Sequence, residues 1–143
     1  MSVGRICTRI VHLARPDESV RVAAQRMQQK GVGTLIVAAR EGEPLGIVTD
    51  RDLVLRCLAA GLDPEQTRVE AVMSRPVIAV GEATPIEDAL RRMSGRSIRR
   101  LVVTDEQGGL AGILALDDVA ELLVEESESI GRLLRHRPNA TED

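Results

Sequence analysis

Apolar positions along the chain follow two periods, and the same succession of periods occurs twice. Val20, Ala23, Ala24 and Met27 recur at the spacing of one helix face, and Ile86, Ala89, Leu90 and Met93 do the same. A short apolar run over Val77-Ile78-Ala79-Val80 precedes the second of these helices. Leu35-Ile36-Val37 and Leu101-Val102-Val103 follow the two helices. Turn-forming stretches come next, Glu41-Gly42-Glu43-Pro44 and Glu106-Gln107-Gly108-Gly109, and then runs over Leu45 to Val48 and Leu110 to Leu114. Runs joined this way form hairpins with loops of a few residues. Each half closes on a further helix face, made by Leu53, Val54, Cys57 and Leu58 in the first and by Val119, Leu122 and Leu123 in the second. Both halves therefore read strand, helix, strand, strand, helix.

The two halves align without a gap. Val3 falls on Val69, an offset of 66 residues, and at that offset Met27 falls on Met93, Gly46 on Gly112, Ile47 on Ile113 and Asp52 on Asp118. A repeat of this length is one supersecondary unit that does not bury its apolar face alone. Two copies packed face to face share a core and a pseudo-twofold seam, and clefts along such a seam come in pairs. The expected fold is mixed α/β (α+β), with β-α-β-β-α units over residues 3–62 and 69–125 packed sheet to sheet. Residues 126–143 read as a helical extension and a frayed tail. In that extension Ile130, Leu133 and Leu134 lie among Arg132, Arg135 and Arg137, and Pro138 stops the helix. Local signals set further expectations. Thr84 reads as an N-cap, with Pro85 at the first helical position and Glu87 closing a capping box. Gly31, Gly33 and Gly95 read as stops after the first helix of each unit, and Gly61 as the C-cap of the first closing helix.

Composition narrows the function. The 143 residues are 43% hydrophobic but contain no Phe, Tyr or Trp, so the core is aliphatic. A single-strand nucleic-acid site normally stacks bases on aromatic rings, and a net charge of -3 offers no phosphate-backbone footprint. Nucleic acid is therefore not an expected partner. No apolar run reaches the roughly 18–20 residues of a membrane span. The N-terminus lacks the pattern of a secretory leader, and Cys7 and Cys57 make no disulfide framework, so a cytoplasmic location is expected.

The turn into the first closing helix, Gly46-Ile47-Val48-Thr49-Asp50-Arg51-Asp52, carries the candidate chemistry. Thr49 puts a hydroxyl at a helix start, among free N–H groups that favour an anion. Asp52 repels a phosphate but accepts hydrogen bonds from the adjacent hydroxyls of a ribose. The same Thr-x-x-Asp spacing is also a plain capping box. The second unit keeps Gly112, Ile113 and Asp118 but has Ala115 in place of the threonine. Capping does not explain the retained glycine, which lets the backbone approach something closely.

With the lead-in Val72-Met73-Ser74-Arg75-Pro76-Val77, these tandem units resemble a pair of cystathionine-β-synthase (CBS) domains over about Val3 to Glu125. The resemblance implies a regulatory module that binds adenosine-containing ligands in two clefts and pairs into a homodimer. In the first cleft it implies Thr49 for phosphate, Asp52 for ribose and Ile47 beside the base, completed by Ser74, Val77 and Ile78. Arg51 would turn toward the phosphate or pair with an acid. In the second it implies Asp118 for ribose, with Ile113 near the base and Thr8 and His12 on the far side. Arg100 matches a phosphate-binding position and partly compensates there for Ala115. Arg99 reads as a solvated surface residue. The expected ligand is AMP, with ATP, ADP or NAD(H) as alternatives, and an unidentified protein partner would read its binding. No catalytic group, catalytic cofactor or metal site is expected: Cys7 and His12 lack a third orienting group, and the acids sit at helix starts. The alternative function is a structural dimerisation or partner-docking module with empty clefts.

Overall fold

Leu13 and Ala14 form the first strand, β1, of a three-stranded sheet that also contains β2 (Thr34–Ala38) and β3 (Pro44–Thr49). A computed structural model provides this description for residues 1–136. Helix α1 (Val20–Lys30) crosses between β1 and β2, which run parallel, and the hairpin returns β3 antiparallel to β2. The second sheet repeats the pattern with β4 (Ala79–Gly81), α3 (Ile86–Arg96), β5 (Arg100–Thr104) and β6 (Leu110–Ala115). Both hairpins carry a register shift at the same place, Val37/Ala38 and Val103/Thr104. The closing helices differ. Helix α2 (Asp50–Asp52) runs on as a π-helical turn, Leu53–Leu58, whereas α4 (Leu116–Arg135) is one unbroken helix of 20 residues. It ends before Pro138, and Arg137 and Pro138 lie outside the described residues.

Residue alternation explains how the sheets are covered. Leu35, Val37 and Val48 join Ala23, Met27 and Cys57 in one apolar cluster, and Leu101, Val103 and Leu114 join Ala89 and Met93 in another. Ile36 and Val102 are equally buried, 1% and 0% exposed, but belong to neither cluster. They occupy the opposite faces of the central strands. A central strand buried on both faces needs a second layer, and the other unit supplies it across the seam.

The lead-in segments cross that seam. Val3, with Ile6 and Cys7 beside it, packs into the core of the second unit, while Val69, Val72 and Met73 pack into the core of the first. Each crossing segment is fastened by an antiparallel pair of backbone hydrogen bonds. Thr8 and Ile113 exchange N–H···O bonds of 2.9 Å in both directions, and Ile47 and Ser74 exchange bonds of 3.1 and 2.8 Å. The repeated glycine follows from this approach. A Cβ on Gly112 would lie 2.5 Å from the Thr8 carbonyl oxygen, and one on Gly46 would lie 2.9 Å from that of Ser74. The close neighbour that the sequence implied is the crossing chain.

Several local expectations are corrected. Thr84 is not the N-cap of α3 and no capping box forms there: Pro85 occupies the cap in extended conformation, ψ 145, with no side-chain cap. Its repeat mate Ser19 does cap α1, accepting the Val22 N–H. The Thr84 carbonyl instead accepts the Val3 N–H at 2.8 Å. Gly95 lies inside α3, and the left-handed stop is Ser97, φ 53. The apolar run at Val77 pairs as a strand only from Ala79 to Gly81. Gly61 is left-handed, φ 74, but the cap of the first closing helix is Ala59, two residues before it.

Candidate functional site

Two cavities lie on the seam, related by the same offset as the sequence. The first, about 420 Å³, is lined by Ile47, Thr49, Arg51 and Asp52 from the end of β3 and the start of α2. The lead-in to β4 adds Ser74, Pro76, Val77 and Ile78, and the turn from α3 into the first residue of β5 adds Ser97 to Arg100. The second, about 320 Å³, is lined by Thr8, Val11 and His12, by Val32 to Thr34 and Ile36, and by Ile113, Ala115, Asp117 and Asp118. Every residue named for the first cleft from sequence lines the first cavity, and Thr8, His12, Ile113 and Asp118 line the second. Arg100 lines both. Pro76, Ile98, Ile10, Val32 and Thr34 were not anticipated, although the repeat offset alone pairs Thr34 with Arg100 and Ile10 with Pro76. Arg99 is solvated, as expected, with its side chain 69% exposed, but it sits on the rim of the first cavity.

The start of α2 is more fully bonded than expected. The Asp50 N–H donates to the Gly33 carbonyl, the Arg51 N–H to the Asp50 carboxylate, and the Asp52 N–H to Thr49 Oγ at 3.2 Å. These N–H groups are therefore not free for an anion, because the side chains of the first turn and the loop before β2 already bind them. Thr49 still has its own O–H to donate, since it acts only as an acceptor in the cap. The Asp52 carboxylate accepts the Thr49 N–H at 2.9 Å through one oxygen, completing the capping box. Its other oxygen lies 3.7 Å from Arg56 Nε. A carboxylate offers about four acceptor sites, so Asp52 keeps capacity toward the cavity. Asp118 accepts the Ala115 N–H at 3.3 Å, but Ala115 has no oxygen to return the bond.

Phosphate chemistry in the first cavity would therefore fall to the Thr49 hydroxyl and the guanidiniums of Arg51, Arg99 and Arg100. Ile47 and Ile78 provide the flat aliphatic walls that an aromatic ring would provide elsewhere. Beside the second cavity, burial pushes the Cys7 thiol above its ordinary value, with Arg9 opposing. A thiol held protonated is a poor nucleophile. Among the described residues no cluster of three His, Cys, Asp or Glu is placed to hold a metal ion. Among them, too, no helix is long and apolar enough to cross a membrane.

The family model for the CBS domain matches residues 3–58 and 69–125. The chain belongs to the CBS-domain family. It is 39% identical to the CBS domain-containing protein YhcV of Bacillus subtilis over 83% of each chain. It is 34% identical to the uncharacterized protein MK0525 of Methanopyrus kandleri over 85% of its own length, spanning 62% of that relative. The solved structure of the CBS domain protein PAE2072 from Pyrobaculum aerophilum, complexed with AMP, superposes with a TM-score of 0.75. That match covers 90% of this chain and 99% of the other at 24% identity, a likeness of fold. The tandem-unit architecture expected from the repeat is thus the architecture of CBS pairs.

Proposed function

We propose that this CBS pair is a non-catalytic regulatory module that binds an adenine nucleotide, AMP foremost, in the first cleft. One observation carries the reading: a cavity of about 420 Å³ joins a ribose-competent acid, a hydroxyl, three guanidiniums and two aliphatic walls. Its volume lies within the roughly 300–1,000 Å³ of small-molecule sites, and its few polar groups converge on apolar walls as such sites require. The AMP complex of PAE2072 supports the ligand class. Arg51 then turns toward the phosphate, and Ser74 and Val77 line the far wall. Occupancy regulates only if the ligand binds one arrangement of the units better than another.

The chain lacks tryptophan and tyrosine, so absorbance near 260 nm in the purified protein reports bound adenine directly. Thermal unfolding with AMP, ATP, NADH and S-adenosylmethionine should show a rise in Tm that is largest for AMP. A flat spectrum and no shift with any of the four would leave the structural module as the function.

That second reading draws on two observations, the inward bond of Asp52 to its own helix cap and the apolar surface of the closing helices. Val54, Leu55 and Leu58 on the first, and Leu123 and Val124 on the second, are about half exposed. Unpartnered apolar faces mark association sites, and pairing into a homodimer is the form both readings share. Sedimentation equilibrium should give twice the chain mass, and Leu58→Glu should shift the distribution toward monomer. A wild-type monomer at all concentrations removes the dimer.

A further inference from the structure

The clefts are repeat mates in shape and opposites in charge. At the common offset Thr49 matches Ala115, Arg51 matches Asp117 and Arg99 matches Gly33, while Asp52 and Asp118 agree. The first cleft presents the guanidiniums of Arg51, Arg99 and Arg100 against the single carboxylate of Asp52. The second presents the carboxylates of Asp117 and Asp118, and among the described residues Arg100 is the one guanidinium on its wall. That guanidinium also lines the first cleft. Asp52 has Arg56 beside it at 3.7 Å, whereas the mate of Arg56 is Leu122, so no such cation attends Asp118. Asp117 pairs with Arg99 at 3.0 Å, but the two side chains are 77% and 69% exposed, and solvent screens the pair.

A phosphate in the first cleft competes for Arg100. With Arg100 turned to it, the second cleft keeps two carboxylates and no guanidinium. Ala115 removes the hydroxyl that would have donated to a phosphate oxygen. A second phosphate entering there meets like charge, with only the neutral side chains of Thr8, Thr34 and His12 left to donate, which selects against it. Asp118 still accepts from a ribose diol, since that bond needs no phosphate. A positive centre on the ligand would be drawn to the Asp117 side.

We propose that the two clefts take different ligand classes: a phosphate-bearing nucleotide in the first, and in the second an adenosyl compound without phosphate, neutral or cationic. The proposal rests on the adenosyl reading above and adds an order to it, because a phosphate that recruits Arg100 leaves the second cleft better suited to a cation.

Titration calorimetry of the full chain tests this with AMP, adenosine and S-adenosylmethionine as probes. AMP should bind at one per chain. Protein saturated with AMP should then take one S-adenosylmethionine per chain, and adenosine at the same site more weakly, without displacing AMP. Asp117→Arg gives the second cleft the cation of the first. It should raise AMP stoichiometry to two per chain and weaken S-adenosylmethionine at least tenfold, with an unchanged melting temperature because the position is exposed. If that variant melts early, the wild-type stoichiometries decide alone. Two AMP per chain of similar affinity in the wild type overturns the division of ligands, as does S-adenosylmethionine competing with AMP for one site. Binding of none of the probes instead overturns the adenosyl reading itself.

Discussion

Asp52 accepts the Thr49 N–H through one oxygen and faces Arg56 with the other, so its role in the cap and its role toward a ligand are separable by substitution. Asp52→Asn keeps an acceptor oxygen for the cap and loses the charge; Asp52→Ala loses both. A charge-assisted hydrogen bond contributes about 1.5–3 kcal/mol and a capping side chain about 1 kcal/mol. AMP affinity should fall about 10–100-fold in Asp52→Ala on the scale of tenfold per 1.4 kcal/mol, and by a smaller factor in Asp52→Asn. Stability in urea should fall by about 1 kcal/mol in the alanine variant and less in the asparagine variant. Calorimetry and denaturant melts on the same preparations check both. Affinity unchanged in both variants would confine Asp52 to the helix cap. The acid itself was legible from the sequence because Asp52 and Asp118 coincide in the repeat. The bonding of its neighbours was not. Spacing alone shows a helix start and the N–H groups it exposes, but not that Asp50 and the Gly33 carbonyl already bind them.

The elements follow from hydrophobic periodicity, and their ends are where the sequence misled. Glycine is the cheapest residue in left-handed conformation, so Gly95 reads as the stop of α3 and Ser97 does not. The helix absorbs Gly95 because Ile98 and Met93 hold its last turn, the Ile98 N–H donating to the Met93 carbonyl at 3.0 Å. Ser97 is thereby forced to φ 53, the conformation that Gly31 takes in the first unit at φ 65. A non-glycine residue there costs roughly 1 kcal/mol or more, and the greater freedom of glycine in the unfolded chain offsets part of the gain. Ser97→Gly should therefore raise stability by about 0.5–1 kcal/mol, read as a higher urea midpoint at unchanged slope. A lower midpoint would mean that the serine side chain, on the rim of the first cavity, makes a contact worth more than the strain. The N-terminus of α3 was misread for a related reason. Thr84-Pro85 carries a strong start signal, but the Thr84 carbonyl is drawn into a bond with Val3, a residue far away in sequence.

At the scale of the molecule, that distant bond belongs to the exchange of lead-ins between the units. Hydrophobicity marks Val3 and Val69 as core residues, but a repeat reads identically whether each segment packs in its own unit or in the other. Only the glycines hint at the crossing, by requiring a close neighbour that their own hairpins do not contain. Arg100 hides its double role for the same reason: an offset assigns it to one unit, whereas the seam exposes it to both clefts. The exchange also gives a coupling that can be measured. Val3 is fully buried in the second unit's core although it lies at the start of the first repeat. Val3→Ala removes two buried methyl groups and leaves a cavity, a loss of about 1–3 kcal/mol by the range for large-to-small core changes. Hydrogen exchange should then accelerate first in β5, β6 and α3, more than 80 residues along the chain, while β2 and α1 stay protected until global unfolding. Val69→Ala should reverse the pattern, loosening β2, β3 and α1. Faster exchange confined to β1 and α1 in Val3→Ala would mean that the lead-in belongs to its own unit, and the crossed seam that shapes both clefts would have to be redrawn.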